Sequence, residues 1–347
     1  EIGAPHAMAG AKDGVPASWK LGASIYLAFA TSIQGVLVGL SKNDSGRYDY
    51  NVATVPLLAE MLKIALSGTA LMMVYIDPGR EMKCTVGWGT LHFIIPSLIY
   101  VVNHNLTFVV LKFITPASYQ LLGNLKIGTT ALLCRMVLAR RLSKLKWTAV
   151  LLLMIGTTVS QVQGQSADGS SYTVVGSQVT GYVLAIVMAF LSGGAGVYSE
   201  LLLKRNDDNI NWQNLQMYGW GVLVNGLRLT LGGKDGQSHV PGGILAGYDY
   251  RAWLIVINLG VSGLVVSFIL KYVDNIAKVF STGMAMFLTP LLSIVMFDLY
   301  PSFTLLLGAC IASISVVLFY LIGPAQTVVD AKELLDAHEA MKAATKG

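Results

Sequence analysis

The chain has 347 residues, 54% hydrophobic and 12% charged, with a mean hydropathy of +0.61, which excludes a soluble globular protein and points to a chain crossing a membrane many times. Its formal net charge of +5 requires no nucleic acid, because a basic cytosolic fringe facing anionic lipid accounts for it. Cys84, Cys134 and Cys310 stand far apart, in or beside apolar stretches; this spacing fits packing residues, not a disulfide framework or a metal site.

The first seventeen residues have no apolar core, so no cleavable signal peptide is expected, and EIGAPHAM reads as an artificial leader with Met8 as the native start. A bilayer core takes about 20 apolar residues per helix. Ten such stretches follow: 18–40, 52–76, 88–111, 115–139, 146–163, 178–203, 212–232, 252–272, 277–299 and 302–323. The expected fold class is therefore an all-α membrane protein with ten transmembrane helices and no separate soluble domain. With the N-terminus in the cytosol, fifteen lysines and arginines fall on that side and five on the other, so both termini are expected to be cytosolic.

In the second span, Glu60 and Lys63 of LLAEMLKIAL share a helical face and can neutralise one another, as a structural pair or a functional one. The third span carries Tyr100, Asn103 and Asn105 in YVVNHNLTF. With Tyr119 of the next span they are the groups a nucleotide needs: rings to stack on a base and amides to meet its edge. A membrane tyrosine taken alone is equally a core or interface residue. The fourth span, QLLGNLKIGTTALL, places Lys126 with no acidic neighbour inside it, and an ionisable group at membrane depth marks a functional site. Arg135 and Arg228 are expected to snorkel. The sequon NLT at 105–107 lies inside a span, and NDS at 43–45 lies close to the bilayer.

Small residues in LSGGAGVYSELLLKR of the sixth span, Ser192, Gly193 and Gly196 among them, allow either close helix packing or ligand approach to the backbone. No Gly-Lys-Ser ending makes it a Walker loop. NDDN at 206–209 is the one close acidic pair and reads as a solvated turn, whereas a membrane enzyme working on activated sugars would set metal-binding carboxylates at a membrane face. In LKYVDNIAKV, Lys271 and Asp274 are candidates to pair, and Lys278 is a candidate cytosolic anchor. The tail 328–347 alternates charge with apolar residues at helical spacing, as a short cytosolic helix or a loose end does.

Displacing the chain by 159 residues lays 111–120 over 270–279 and Ser143 over Ser302. The expected units are thus a cytosolic segment 1–17, five-helix repeats 18–163 and 178–323, and a tail 324–347. Five spans are an odd number, so the copies must lie in opposite orientation, the device by which transporters hold substrate between two rocking halves. Lys126 and Lys271 come from opposite halves, and with Lys63 they make a site for an anion. A phosphate suits flexible point charges that follow it as the halves move.

The ordered series YVVNHNLTFVVLKFITPASYQLLGNLKIGTTALL, RRLSKLKWTAVLLLMIGTTVSQ, FLSGGAGVYSELLLK, WQNLQMYGWG and LVVSFILKYVDNIAKVFSTGMAM resembles the Golgi nucleotide-sugar transporters of the drug/metabolite transporter superfamily. It covers about 18–323 and is most similar to the CMP-sialic acid transporter group, plant members included. The resemblance implies two inverted five-helix repeats and exchange of a cytosolic CMP-linked sugar for lumenal CMP, without cofactor or metal. It also implies a nucleotide site of Tyr100, Asn103, Tyr119, Lys126, Ser192, Gly193, Gly196, Asn214 and Lys271 in one central cavity, with Glu60, Lys63, Asp274 and Lys278 supporting or gating it. Relatives often carry Tyr and Gln where this chain has Gly123 and Asn124, and here His104 separates the paired asparagines; both departures bear on the sugar end of the cavity. A UDP-sugar or other metabolite carrier of the same fold is the alternative, and a membrane-embedded enzyme the more distant one.

Overall fold

The structure is a computed structural model describing residues 15–43, 48–76, 83–110, 112–114, 116–138, 142–161, 175–205, 207–231, 243, 245–297 and 302–322. The tail 328–347, EIGAPHAM and most of the NDS sequon lie outside these residues, as do the side chains of His104 and Asn105.

The described residues fold as helices, with no named strand among them: α1 (Ala17–Leu40), α2 (Val55–Ile76), α3 (Ile94–Val110), α4 (Pro116–Gly123), α5 (Leu125–Val137), α6 (Lys144–Gln161), α7 (Val175–Arg205), α8 (Ile210–Leu231), α9 (Tyr250–Tyr272), α10 (Asn275–Phe297) and α11 (Phe303–Val317). Each apolar stretch of the sequence carries a helix. Five, over Ser18–Leu40, Val52–Ile76, Val179–Arg205, Tyr250–Tyr272 and Phe303–Tyr320, are long and apolar enough to span a bilayer. The fourth stretch is divided: α4 stops at Gly123, Asn124 is a turn residue, and α5 begins at Leu125. Gly and Asn are both weak helix formers, and they stand together just before Lys126. The third stretch opens with a 3-10 segment, Trp88–Phe93, before α3. With 31 residues, α7 extends about 46 Å at 1.5 Å per residue, well beyond a hydrocarbon core of about 30 Å.

The packing has a regular plan. Helix α1 lies on α9 and α10, as α7 lies on α3 and α5; α2 lies on α9, as α8 lies on α3; the pairs α2–α8, α5–α10 and α6–α11 close the bundle. Matching α1, α2, α3, α4–α5 and α6 in order with α7 to α11 and interchanging them leaves these pairings unchanged. The closest approach is α6 on α11, where a Cβ on Gly308 would sit 2.6 Å from the carbonyl oxygen of Gly156 and Ser315 Oγ donates to the Ala149 carbonyl at 2.6 Å. Lipid offers helices no hydrophobic gain from pairing, so such close backbone contact and interhelical hydrogen bonds hold them. The largest core cluster joins α5, α6, α7, α10 and α11 around Phe280, which stacks on Phe319 at 4.1 Å. Cys134 is buried in this cluster, Cys84 is half-buried and Cys310 is exposed. Many large apolar side chains face outward, from Ile25 and Phe29 on α1 to Leu306 and Ile314 on α11, the expected surface for a lipid solvent.

Candidate functional site

Lys126 sits at the second position of α5, and no carboxylate lies within ion-pair distance of it among the described residues. The charged side chain whose field reaches it is Lys278, of the same sign, from the first turn of α10. An ammonium within the bundle that feels a like charge and has no carboxylate beside it favours a bound anion. The backbone here is tied to α7: Thr129 Oγ1 reaches the Lys126 carbonyl at 3.2 Å and the Ala189 carbonyl at 3.1 Å. Gly193 is buried against α5, and a Cβ there would lie 3.1 Å from Thr130 Oγ1. Ser192, beside it, is half-buried.

Along the same side of α7 stand the nucleotide-type groups of α3 and α4. The Tyr119 hydroxyl pairs with Thr107 Oγ1 at 3.1 Å, and Thr107 Oγ1 also donates to the Asn103 carbonyl at 3.1 Å. Tyr119 packs on Val110, Ile114 and Met188. Asn103 Oδ1 is buried with no hydrogen-bond partner, and Tyr100 is partly exposed at 38%. An unpaired buried amide oxygen costs about 1–3 kcal/mol, so Asn103 holds an acceptor ready for a ligand donor.

The second-span pair is real and lies in another part of the bundle. Lys63 Nζ is 2.7 Å from Glu60 Oε1 and 4.0 Å from the centre of the Tyr218 ring. The Tyr218 hydroxyl donates to the Gly263 carbonyl at 2.9 Å. Glu60 Oε2 is buried without a hydrogen-bond partner, at the place where a Cβ on Gly221 would come within 2.8 Å. Both residues line a cavity of about 230 Å³ between α1, α2, α9 and α10, together with Thr31, Ser262 and Thr282.

Four expected site or supporting residues are engaged elsewhere. Asn214 Oδ1 accepts from Ser267 Oγ, both side chains buried. Lys271 donates to the Asp208 carbonyl and, at 2.6 Å, to Gln213 Oε1. Gly196 lies against the amide of Asn275. Asp274 accepts from the Ala277 N–H at 2.7 Å, starting α10. The structure therefore distributes the expected residues: Lys126 on α5 against α7, the α3–α4 groups around Thr107, the Glu60–Lys63 cavity, and the end of the bundle around Lys271.

Asp207 is exposed, but NDDN is not the wholly solvated turn its composition suggests. Asp208 is 6% exposed and accepts from Thr85 through the backbone N–H at 3.1 Å and Oγ1 at 2.7 Å. Its carbonyl takes Lys271. Tertiary partners from residues 83–85 and α9, invisible to turn preference, overrode it. Sequence reading also missed Tyr218, Glu200 and Lys204; only the i, i+4 spacing of Glu200 and Lys204 marked the last two.

The sequence model of the family described as "Nucleotide-sugar transporter" matches residues 18–320. The chain is 42% identical to "CMP-sialic acid transporter 1" of Arabidopsis thaliana over 320 residues, covering 91% of this chain and 93% of that protein. To the protein of the same name from Oryza sativa subsp. japonica it is 40% identical, over 91% and 98%. It is also 36% identical to "UDP-galactose/UDP-N-acetylglucosamine transporter srf-3" of Caenorhabditis elegans, over 67% of this chain and 62% of that one. A solved structure aligns with a TM-score of 0.64 over 88% of this chain and 99% of its own, at 18% identity, so the fold alone is shared. With most of its length matched by the family and its plant relatives, this chain belongs to the nucleotide-sugar transporter family.

Proposed function

We propose that this protein is an antiporter of the Golgi membrane with ten spans in two inverted five-helix halves and both termini cytosolic, exchanging a cytosolic CMP-linked sugar for lumenal CMP. The carrying observation is Lys126 on α5, held against α7 through Thr129, with no carboxylate in ion-pair reach among the described residues. Interchangeable packing of α1–α6 and α7–α11 supports the two-half plan, and the lysine excess on one side supports the orientation. The names of the plant relatives favour CMP-sialic acid.

In this reading the nucleotide phosphate bridges Lys126 and Lys278. Tyr100, Asn103 and Tyr119 hold base and ribose, with Ser192 and Gly193 letting the ligand approach α7. Lys271, already bonded to the protein, supports the site from its end. When the site empties, two ammonium groups are left to be desolvated as it closes, which is costly. The loaded carrier therefore crosses readily and the empty one does not, giving exchange in preference to net efflux.

Counterflow of labelled CMP into proteoliposomes tests this. Uptake should require internal CMP, the label should emerge chemically unchanged, and CMP should compete better than UMP, because groups that meet the cytosine amine stay unpaired on uracil. Equal inhibition by UMP would favour the UDP-sugar alternative, which the Caenorhabditis elegans relative keeps in view. A chemically altered label would turn the reading toward an enzyme.

A further inference from the structure

The place where α7 ends and α10 begins holds a contact that nucleotide binding leaves unused. Glu200 is fully buried, at 0% exposure, and pairs with Lys204 one turn further along α7, at 2.7 Å. Each partner also reaches across to the turn between α9 and α10. Glu200 Oε2 accepts the backbone N–H of Asn275, the first residue of α10, at 2.9 Å. Lys204 Nζ donates to the carbonyl of Val273, the residue capping α9, at 2.6 Å. The signs are complementary to the helix ends, a carboxylate at an N-terminus and an ammonium at a C-terminus. One turn earlier on α7, Gly196 leaves room for the Asn275 side chain, whose amide nitrogen lies 2.7 Å from where a Cβ would be. Asn275 is 1% exposed, and its Oδ1 has no hydrogen-bond partner.

We propose that this contact is a latch that opens and closes in each transport cycle, with Glu200 and Gly196 as its gating residues; this rests on the carrier reading. First, both charges of the clamp belong to α7. If α7 and α10 part, the Glu200–Lys204 pair stays whole, and the bonds to the Asn275 N–H and the Val273 carbonyl break at backbone groups that water can take over. Second, closure leaves the Asn275 amide oxygen unpaired, and opening lets water satisfy it. The closed form therefore surrenders a polar contact that the open form regains, which keeps the two forms within reach of each other. Third, Lys278 lies three residues after Asn275 on α10 and acts on Lys126 of α5, while α5 packs on α7. An anion joining the two lysines offsets their repulsion and draws the start of α10 toward α5 and α7, so occupancy and closure favour each other.

Hydrogen–deuterium exchange of the peptide spanning 273–278, in the full chain in nanodiscs, reads the latch through the Asn275 N–H, and CMP counterflow reads the cycle. Glu200→Gln, Lys204→Met and Gly196→Ala should each speed exchange of that peptide, roughly tenfold for Glu200→Gln, and slow counterflow. Adding Asn275→Ala to Gly196→Ala removes the side chain that the new methyl meets and should restore both readouts. A glycine needed only for nucleotide contact would not be rescued this way. Should Gly196→Ala not fold, Glu200→Gln and Lys204→Met still decide. Unchanged peptide exchange in those two variants, or no rescue by Asn275→Ala, with wild-type counterflow intact, would overturn the latch. Absent wild-type CMP counterflow with the peptide responding as expected would instead overturn the CMP reading.

Discussion

The bundle is held at its two ends by different chemistry. Where α1, α2 and α9 meet, the contact is largely aromatic: Tyr50 packs edge-on against Tyr48 at 5.7 Å and Tyr248 at 5.4 Å, and Tyr248 lies tilted against Trp253 at 5.5 Å. Its buried polar bonds include two between hydroxyls, Ser41 with Tyr50 at 3.0 Å and Thr54 with Tyr248 at 2.7 Å, while the one charged bond to backbone, Arg251 to the Leu40 carbonyl at 2.8 Å, is exposed. Gly247, with φ of 73°, takes a turn conformation that a side chain disfavours and passes close over Asp49. At the other end, where α7, α8, α9 and α10 meet, the bonds run from charged groups to backbone: Lys204 to Val273, Glu200 to Asn275 and Lys271 to Asp208. An aromatic seam parted in water exposes apolar surface and regains little. A charged clamp parted in water is rehydrated at both faces. The same bundle can therefore have one seam that is costly to part and one that parts more readily.

The sharpest way to break this contrast is Glu200→Ala. Removing one member of a buried ion pair strands the other, a loss of about 3–5 kcal/mol, and Lys204, with a side chain 12% exposed, has little water to turn to. A fall in unfolding temperature is expected, larger than for any single change at the aromatic end. A shift no larger than that of Tyr248→Phe would show the charged end to be ordinary packing.

Next in size is the difference between two lysines of that end. Lys278 is the like charge felt at Lys126, whereas Lys271 is bonded to Asp208 and Gln213. A charge-assisted contact is worth about 1.5–3 kcal/mol, so Lys126→Ala and Lys278→Ala should each weaken CMP binding roughly ten- to a hundredfold in a thermal-shift titration. Cytidine, lacking the phosphate, should bind weakly and almost alike to wild type and variants. Lys271→Met should cost stability more than affinity. If it lowers CMP affinity as far as Lys278→Ala does, Lys271 belongs among the ligand groups.

These distinctions mark what the sequence could tell. Helix content and helix positions were legible because a run of about 20 apolar residues matches the thickness of a bilayer core and little else, and the Glu60–Lys63 pair because i, i+3 spacing forces proximity. Lys126 stood out for lacking a local acid. Its counterpart lysine was expected near Lys271, which the weak repeat signal put opposite, but Lys271 is bonded to the Asp208 carbonyl and Gln213. Lys278, two turns along, is the charge whose field reaches Lys126. The bonds of Lys271 to a carbonyl and to Gln213 depend on how α8 packs on α9, which no local pattern encodes. Gly196 was open between ligand contact and packing; only the position of Asn275 favours a close helix approach there.

At the aromatic end a hydroxyl deletion should be mild. Tyr248→Phe loses a bond to Thr54 and a longer one, 3.3 Å, to the Asn51 carbonyl, worth about 0.5–1.5 kcal/mol together at this partly buried place. Counterflow should change little, since the ring contacts that hold this seam are kept in the variant. A marked change in its rate would mean that these two bonds set how readily this end opens.

The smallest expected effect is a pH dependence that separates the ends. Burial raises the phenol of Tyr50 above its ordinary value, and burial likewise raises that of Tyr248. A raised folded-state value for an acid means that the folded form holds its proton more tightly than the unfolded form. The stabilisation is then fully present below the ordinary phenol value, about 10, and is lost as pH rises through that value toward the folded one. The stability gap between wild type and Tyr50→Phe should accordingly stay constant from neutral to moderately alkaline pH and change only above about pH 10, in the direction that makes wild type less stable relative to the variant. Thermal unfolding of the two proteins across that range checks it. A gap already changing near neutral pH would mean that these hydroxyls titrate as exposed or charge-coupled groups, and that the aromatic end does not contrast with the charged one in its buried polar bonds.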